Sequence, residues 1–149
     1  MATWGDFEAA HPTLAAFGAD RLNHRPAYLA TVRSDGRPRV HPVTPIIGGG
    51  HLFLFMEPTS PKGRDMRERG WYALHNGVPD TAGTGGEFYL SGIATFVGDD
   101  LLRNIAIQSA SYSPIDRYIL FELFVNEARC NGYGDVTLPS PPRWRASTA

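Results

Sequence analysis

Glycine and proline punctuate this chain so densely that they decide what it can fold into. Sixteen Gly and twelve Pro among 149 residues cut it into short pieces, and most of the pieces between cuts are rich in aromatic and β-branched residues. That pattern predicts a mainly β fold, a β-barrel with a few short helices. The length and the 42% hydrophobic content suffice for one hydrophobic core and fall short of two. Residues 1–149 are therefore read as a single domain, with an N-terminal helical segment over 1–25 and an extended C-terminal tail over 134–149.

Charge and cysteine content narrow the class. Fourteen Lys plus Arg against fifteen Asp plus Glu leave a formal net charge of -1, which offers no global field to attract nucleic acid or an anionic membrane. Neither is expected as a partner. Cys130, the one cysteine, can form neither an internal disulfide nor a multi-cysteine zinc site, and the first residues lack the basic and apolar regions of a signal peptide. A cytoplasmic location is the expectation. No stretch approaches the roughly 18 apolar residues of a membrane span; the most apolar run, Tyr118 to Val125, contains Glu122.

Along the chain, Thr3 to Leu22 reads as one or two helices broken at Pro12 and packed outside the sheet. Ala27 to Arg33 is a strand, Asp35-Gly36 a two-residue hairpin turn with both positions at positive φ, and Arg39 to Ile47 the returning strand. Gly48-Gly49-Gly50 turns into Leu52–Met56, apolar on both faces. Ser60 to Gly70 carries helix signals, with Ser60 as cap, Pro61 at the first helical position and Gly70 at the end. Further strands are expected over Trp71 to His75, Glu87 to Val97 and Tyr118 to Arg129, and a helix from Asp99-Asp100 to about Ser109. These six strands suggest a small closed or partly open antiparallel barrel. Several strands are apolar on both sides while the helices are few, so a homodimer is the simplest way to cover the rest.

Thr59-Ser60-Pro61-Lys62-Gly63-Arg64 is the most informative segment. It sets the only lysine and an arginine in the first helical turn, where the helix already carries partial positive charge and orphan N–H groups. A phosphate would satisfy the amides, a Thr59 or Ser60 hydroxyl and the Lys62 ammonium together; a solvated basic helix balanced by Asp65 and Glu68 is the alternative. In Arg39-Val40-His41-Pro42-Val43-Thr44-Pro45 the two prolines cannot donate to a ladder. Backbone groups there are free for a planar heterocycle, or the prolines guard an edge strand. His41, His51 and His75 show no metal-binding spacing, and no serine-hydrolase or Walker pattern occurs. Trp144, between Arg143 and Arg145, reads as a loose aromatic or as a lid over a flat ring.

Ala27-Tyr28-Leu29-Ala30-Thr31-Val32, Asp35-Gly36-Arg37-Pro38, Val40-His41-Pro42-Val43, Leu52-Phe53-Leu54-Phe55 and Ser60-Pro61-Lys62, in that order and spacing, resemble the pyridoxamine 5'-phosphate oxidase-like family of FMN-binding split barrels. The resemblance extends through Tyr118 to Glu127 and the terminal Arg143-Trp144. It implies a six-stranded antiparallel split β-barrel, homodimeric, with FMN in grooves between the subunits. It places Arg39, Val40, His41 and Pro42 along the isoalloxazine ring, Thr59, Ser60 and Lys62 at the phosphate, and Trp144, with Gln108 or Tyr112, across the interface. It also implies an oxidoreductase moving hydride to or from a small-molecule substrate, with His41 the candidate catalytic proton donor. The arginine-rich substrate site of true pyridoxamine phosphate oxidases is missing, so vitamin B6 oxidation is not expected. The deazaflavin F420, with Arg64, Arg67 and Arg69 receiving its acidic tail, is the alternative cofactor. A non-catalytic flavin or haem module, with His41 or His75 on the iron, is the third reading.

Overall fold

The computed structural model describes residues 1–147; residues 148 and 149, the last two of the expected tail, lie outside the described ones. Helices α1 (Trp4–Ala10) and α2 (Pro12–Leu22) open the chain, followed by strands β1 (Ala27–Val32), β2 (Pro38–Val43), β3 (Ile46–Gly48) and β4 (His51–Met56). Helix α3 (Pro61–Glu68), β5 (Trp71–Asn76), β6 (Glu87–Phe96), α4 (Asp100–Ser109), β7 (Ile119–Leu123), β8 (Glu127–Asn131) and β9 (Arg143–Arg145) complete it. The strands form one antiparallel sheet in the order β2-β1-β5-β6-β7-β4-β3, with β8 added to β6 and β9 to β8.

The expected six strands are thus nine among the described residues, because two of them break and the tail pairs. Thr44-Pro45 interrupts the strand expected over Arg39 to Ile47, as the missing proline N–H requires. Tyr118 to Arg129 breaks at Phe124–Asn126, and residues 143–145 pair with β8 instead of lying free. The first hairpin also differs: Gly36 takes φ 85 while Asp35 does not enter the left-handed region, and the Gly36 N–H donates to the Arg33 carbonyl at 2.9 Å. The connection is therefore longer than a two-residue turn.

The N-terminal helices do not lie outside the sheet as bystanders. Trp4, Phe7, Leu14 and Leu22 are buried in the same core as Leu29, Leu54, Leu74, Phe88, Leu90 and Phe121. Helix α2 approaches closely enough that a Cβ on Gly18 would stand 2.5 Å from the Phe88 ring. A smaller core of Ile46, Phe53, Val97, Ala106 and Leu120 lies beneath α4. Glu122, the one acid in the apolar run, is buried and accepts from His51 Nδ1 at 2.5 Å, so its carboxylate is partnered as burial demands. Among the described residues no helix is long and apolar enough to cross a membrane.

Strand β6 is shared between two parts of the sheet. Its residues Glu87–Ser91 pair with β8, and Ala94–Phe96 pair with β7. Between them the Phe124 peptide crosses directly over Gly92, where a Cβ would stand 2.0 Å from the Phe124 carbonyl oxygen. Hydrogen bonds fix the crossing: Phe124 N–H to the Ile93 carbonyl at 2.9 Å, Asn126 N–H to the Ser91 carbonyl at 2.8 Å, and the Tyr72 hydroxyl to the Phe124 carbonyl at 2.7 Å.

Helix α3 is fastened by one carboxylate. Asp65, 4% exposed, accepts from Thr31 Oγ1 of β1 at 2.7 Å, from Arg39 Nε of β2 at 2.8 Å and from an Arg69 guanidinium nitrogen at 3.2 Å. Burial pushes its pKa up, but the hydrogen bonds from Arg39 and Thr31 and the charges of Arg39 and Arg69 outweigh burial and leave it below the ordinary 3.8.

Two predictions follow from these joints. Gly92→Ala costs about 3 kcal/mol or more, because backbone has to move, whereas Gly36→Ala, with open space but positive φ, costs about 1–2 kcal/mol; urea unfolding of both variants checks the order. Because folding depresses the Asp65 pKa, its stabilisation is present above the unfolded carboxyl value and disappears as pH falls through the folded one. Asp65→Asn is expected to lose about 3 kcal/mol at pH 7 and to show less further loss than the wild type on acidification below pH 4, by denaturation at a series of pH values.

Candidate functional site

A groove of about 590 Å³ opens where β2, the end of β4, α3 and the segment after α4 meet. Its lining includes His41, Pro42, Val43 and Thr44 from β2 and beyond, Thr59, Ser60 and Lys62 at the start of α3, and Tyr112 and Tyr118 opposite. Among the described residues β2 pairs with β1 alone, so it is an edge strand and its free side lies at this groove.

Local sequence builds the α3 end of the groove. Ser60 has extended backbone (φ -62, ψ 128) and Pro61 fills the first helical position, but the Ser60 hydroxyl makes no capping bond. It accepts instead from Lys62 Nζ at 3.0 Å. The amides of Lys62 and Gly63 therefore have no acceptor within the helix. Gly63 packs closely on β4: a Cβ there would stand 3.0 Å from Met56 Sδ.

The electrostatics of the groove are one-sided. Lys62 is half-buried, pairs with no carboxylate among the described residues, and burial pushes its pKa down. His41 is also held below its ordinary value, first by burial and then by the charges of Lys62 and Arg39, against the weaker opposing pull of Asp65. Both nearby acids are committed elsewhere. Asp65 serves Thr31, Arg39 and Arg69, and Glu57 is gripped by Arg117 through bonds of 2.9 and 2.5 Å.

The residues singled out from the sequence separate into two groups. His41, Pro42, Thr59, Ser60 and Lys62 meet in the groove. Arg39 binds Asp65 instead of lining it, and Val40 points to the opposite, outer face of the sheet, 63% exposed. Gln108 is exposed on α4, and Trp144 is half-buried with its ring 5.0 Å from Phe7, so neither lines this groove. Arg64, Arg67 and Arg69 are not among the residues lining the groove: Arg67 lies over the Phe96 ring and Arg69, just past α3, donates to Asp65, Glu68 and the Val32 carbonyl. His75 lines a separate cavity of about 710 Å³ with Tyr89, Arg129 and Arg143. No three His, Cys, Asp or Glu side chains come together as metal ligands among the described residues. The sequence reading missed Tyr118, the clamping role of Asp65 and the Glu57–Arg117 pair, whose partners are too far apart in the chain to signal each other.

No family model matches the sequence, and no curated protein is similar to it. Solved structures are similar. A haem-binding protein from Mycobacterium smegmatis superposes with a TM-score of 0.63 at 20% identity, over 83% of this chain and 53% of that one, so this chain spans about half its length. A NimC/NimA family protein from Clostridium acetobutylicum gives 0.62 at 17% identity over 85% of this chain and 87% of that one. A Listeria innocua protein provisionally named pyridoxamine 5'-phosphate oxidase gives 0.60 at 15% identity over 80% and 95%. At such identities the likeness is one of architecture, and the architecture this chain shares is the split barrel of the pyridoxamine 5'-phosphate oxidase-like proteins.

Proposed function

We propose that the protein binds FMN in the Lys62 groove, as a homodimer, and acts as an oxidoreductase on a small-molecule substrate. The observation that carries this reading is Lys62 itself: the only lysine of the chain is held half-buried, bonded to the Ser60 hydroxyl and paired with no acid among the described residues. Desolvating an ammonium without a counterion is unfavourable unless an anion completes the site. The groove also has the volume of small-molecule sites. Lys62, Ser60 and Thr59 would hold the phosphate, and the free edge of β2 at Val43 and Thr44 would meet the heterocycle. The bound flavin supplies hydride chemistry at N5; the chain binds it, orients it and limits its contact with water.

The outer sheet face supports the dimer. Tyr28, Val40 and Trp71 are 52%, 63% and 57% exposed, and Tyr28 stands opposite Pro42 and His75 while Ala30 stands opposite Val40 and Ala73. A contiguous apolar face of this kind marks an interaction surface. A second subunit seated there would bring groups the groove of one subunit lacks, Gln108 and Trp144 among them.

One observation favours a haem reading as the second choice. Hydrogen-bonded through Nδ1 to the Asn76 carbonyl at 2.7 Å, His75 keeps Nε2 available in a side chain that lines a cavity, the orientation in which histidine ligates metals. One of the similar structures is named for haem binding. F420 has less support, because Arg67 and Arg69 are engaged away from the groove.

The absorption spectrum of the purified protein, followed by titration of the apo form with FMN and F420, separates these readings. FMN binding is expected; a Soret band with no flavin binding would favour haem. Lys62→Ala is expected to weaken FMN binding at least tenfold, about 1.4 kcal/mol, and unchanged affinity by fluorescence titration would remove the phosphate assignment. Val40→Glu, at a site too exposed to disturb the core, is expected to convert the dimer to monomer in sedimentation.

A further inference from the structure

Once the paired charges of the groove are set aside, two basic groups remain. Asp65 is consumed by Thr31, Arg39 and Arg69, and Glu57 by Arg117. Arg39 is turned to Asp65. Tyr112 and Tyr118 contribute hydroxyls, and burial raises the Tyr112 pKa, so it stays neutral. What is left facing the groove is the Lys62 ammonium from α3 and the His41 imidazole from β2.

We infer that His41 is the second phosphate ligand of this groove and that it binds by taking up a proton: a phosphate monoester dianion seated against Lys62 draws one proton from solvent onto the His41 ring. The inference rests on the reading of the groove as the FMN site. Lys62 and Arg39 disfavour a third positive charge in the empty groove, and burial acts in the same direction. A dianion between Lys62 and His41 reverses both effects, since it cancels the repulsion and gives the imidazolium N–H a charged acceptor. The proton is gained by His41 and lost by hydronium or buffer, and no bond of the ligand breaks.

Two consequences follow. The groove distinguishes a terminal monoester, with two charges to share between Lys62 and His41, from an uncharged riboflavin or a singly charged diester. Affinity also rises as pH falls through the interval between the bound and free pKa of His41. That rise runs against the second ionisation of the phosphate, near 6, so above pH 7 any proton uptake belongs to the protein.

The test is calorimetric titration of the full chain with FMN at pH 7.5 in two buffers of different ionisation enthalpy, which gives protons taken up per FMN bound. Wild type is expected to take up a clear fraction of one proton. His41→Gln is expected to take up none and to bind more weakly. His41→Arg, which carries its charge permanently, is expected to bind FMN without uptake and to hold its affinity at pH 8.5, where the wild type weakens by about threefold or more. FMN bound by the wild type with no net uptake, or uptake retained in His41→Gln, overturns the role of His41 and leaves the FMN site standing. Absence of FMN binding overturns both.

Discussion

At Gly92 one strand changes partners, and the rest of the molecule is arranged around that crossing. The Phe124 carbonyl occupies the space a side chain would need, so β8 can lie along the first half of β6 and β7 along the second. The close approach falls where β7 gives way to β8, and the sheet there carries both the large core and the smaller one beneath α4. The division leaves β2 at an edge with β4 and α3 beside it, and that juncture is the groove.

The groove depends in turn on a charge arrangement that is stable only because its members are sorted. Asp65 ties α3 to β1 through Thr31 and to β2 through Arg39, with Arg69 as a third donor, and so turns both itself and Arg39 away from the groove. Lys62, three residues earlier on the same helix, pairs with no acid among the described residues. The fold thus commits a buried carboxylate to holding α3 in position and leaves a half-buried ammonium facing no carboxylate among the described residues. Carboxylates near Lys62 would have offered it a permanent partner; the structure directs each of them to an arginine instead.

How much of this was legible depended on how local the signal was. Helix α3 was legible because Ser60-Pro61 and Gly70 mark its ends within the segment itself, and Gly70 indeed takes φ 79. The hairpin at Gly36 was placed correctly but its type was not, because the Asp-Gly pair does not reveal which of its residues turns left-handed. The break at Phe124–Asn126 carries no glycine or proline; the glycine that makes room for it is Gly92, distant in sequence. In the groove, Lys62 stood out locally, as the only lysine, set in the first turn of an expected helix, where a cation is out of place. Asp65 did not, since a helical acid among arginines reads as a solvated pair until Thr31 and Arg39 are seen to converge on it. The tail reads as loose from its prolines, yet Trp144 finds Phe7 through a contact spanning most of the chain.

That last contact joins the two ends of the described chain. Trp144 packs on Phe7, the His11 ring donates to the Pro141 carbonyl at 2.8 Å, and Val125 N–H donates to the Ala2 carbonyl at 2.8 Å. His11 simultaneously accepts from the Leu14 amide at the start of α2. Neither end can therefore fray alone: lifting β9 uncovers Phe7 and removes the His11 acceptor, and unwinding α1 takes away the floor on which Trp144 rests. The segments most distant in sequence make up one cooperative opening unit, with a single free energy governing the exposure of both.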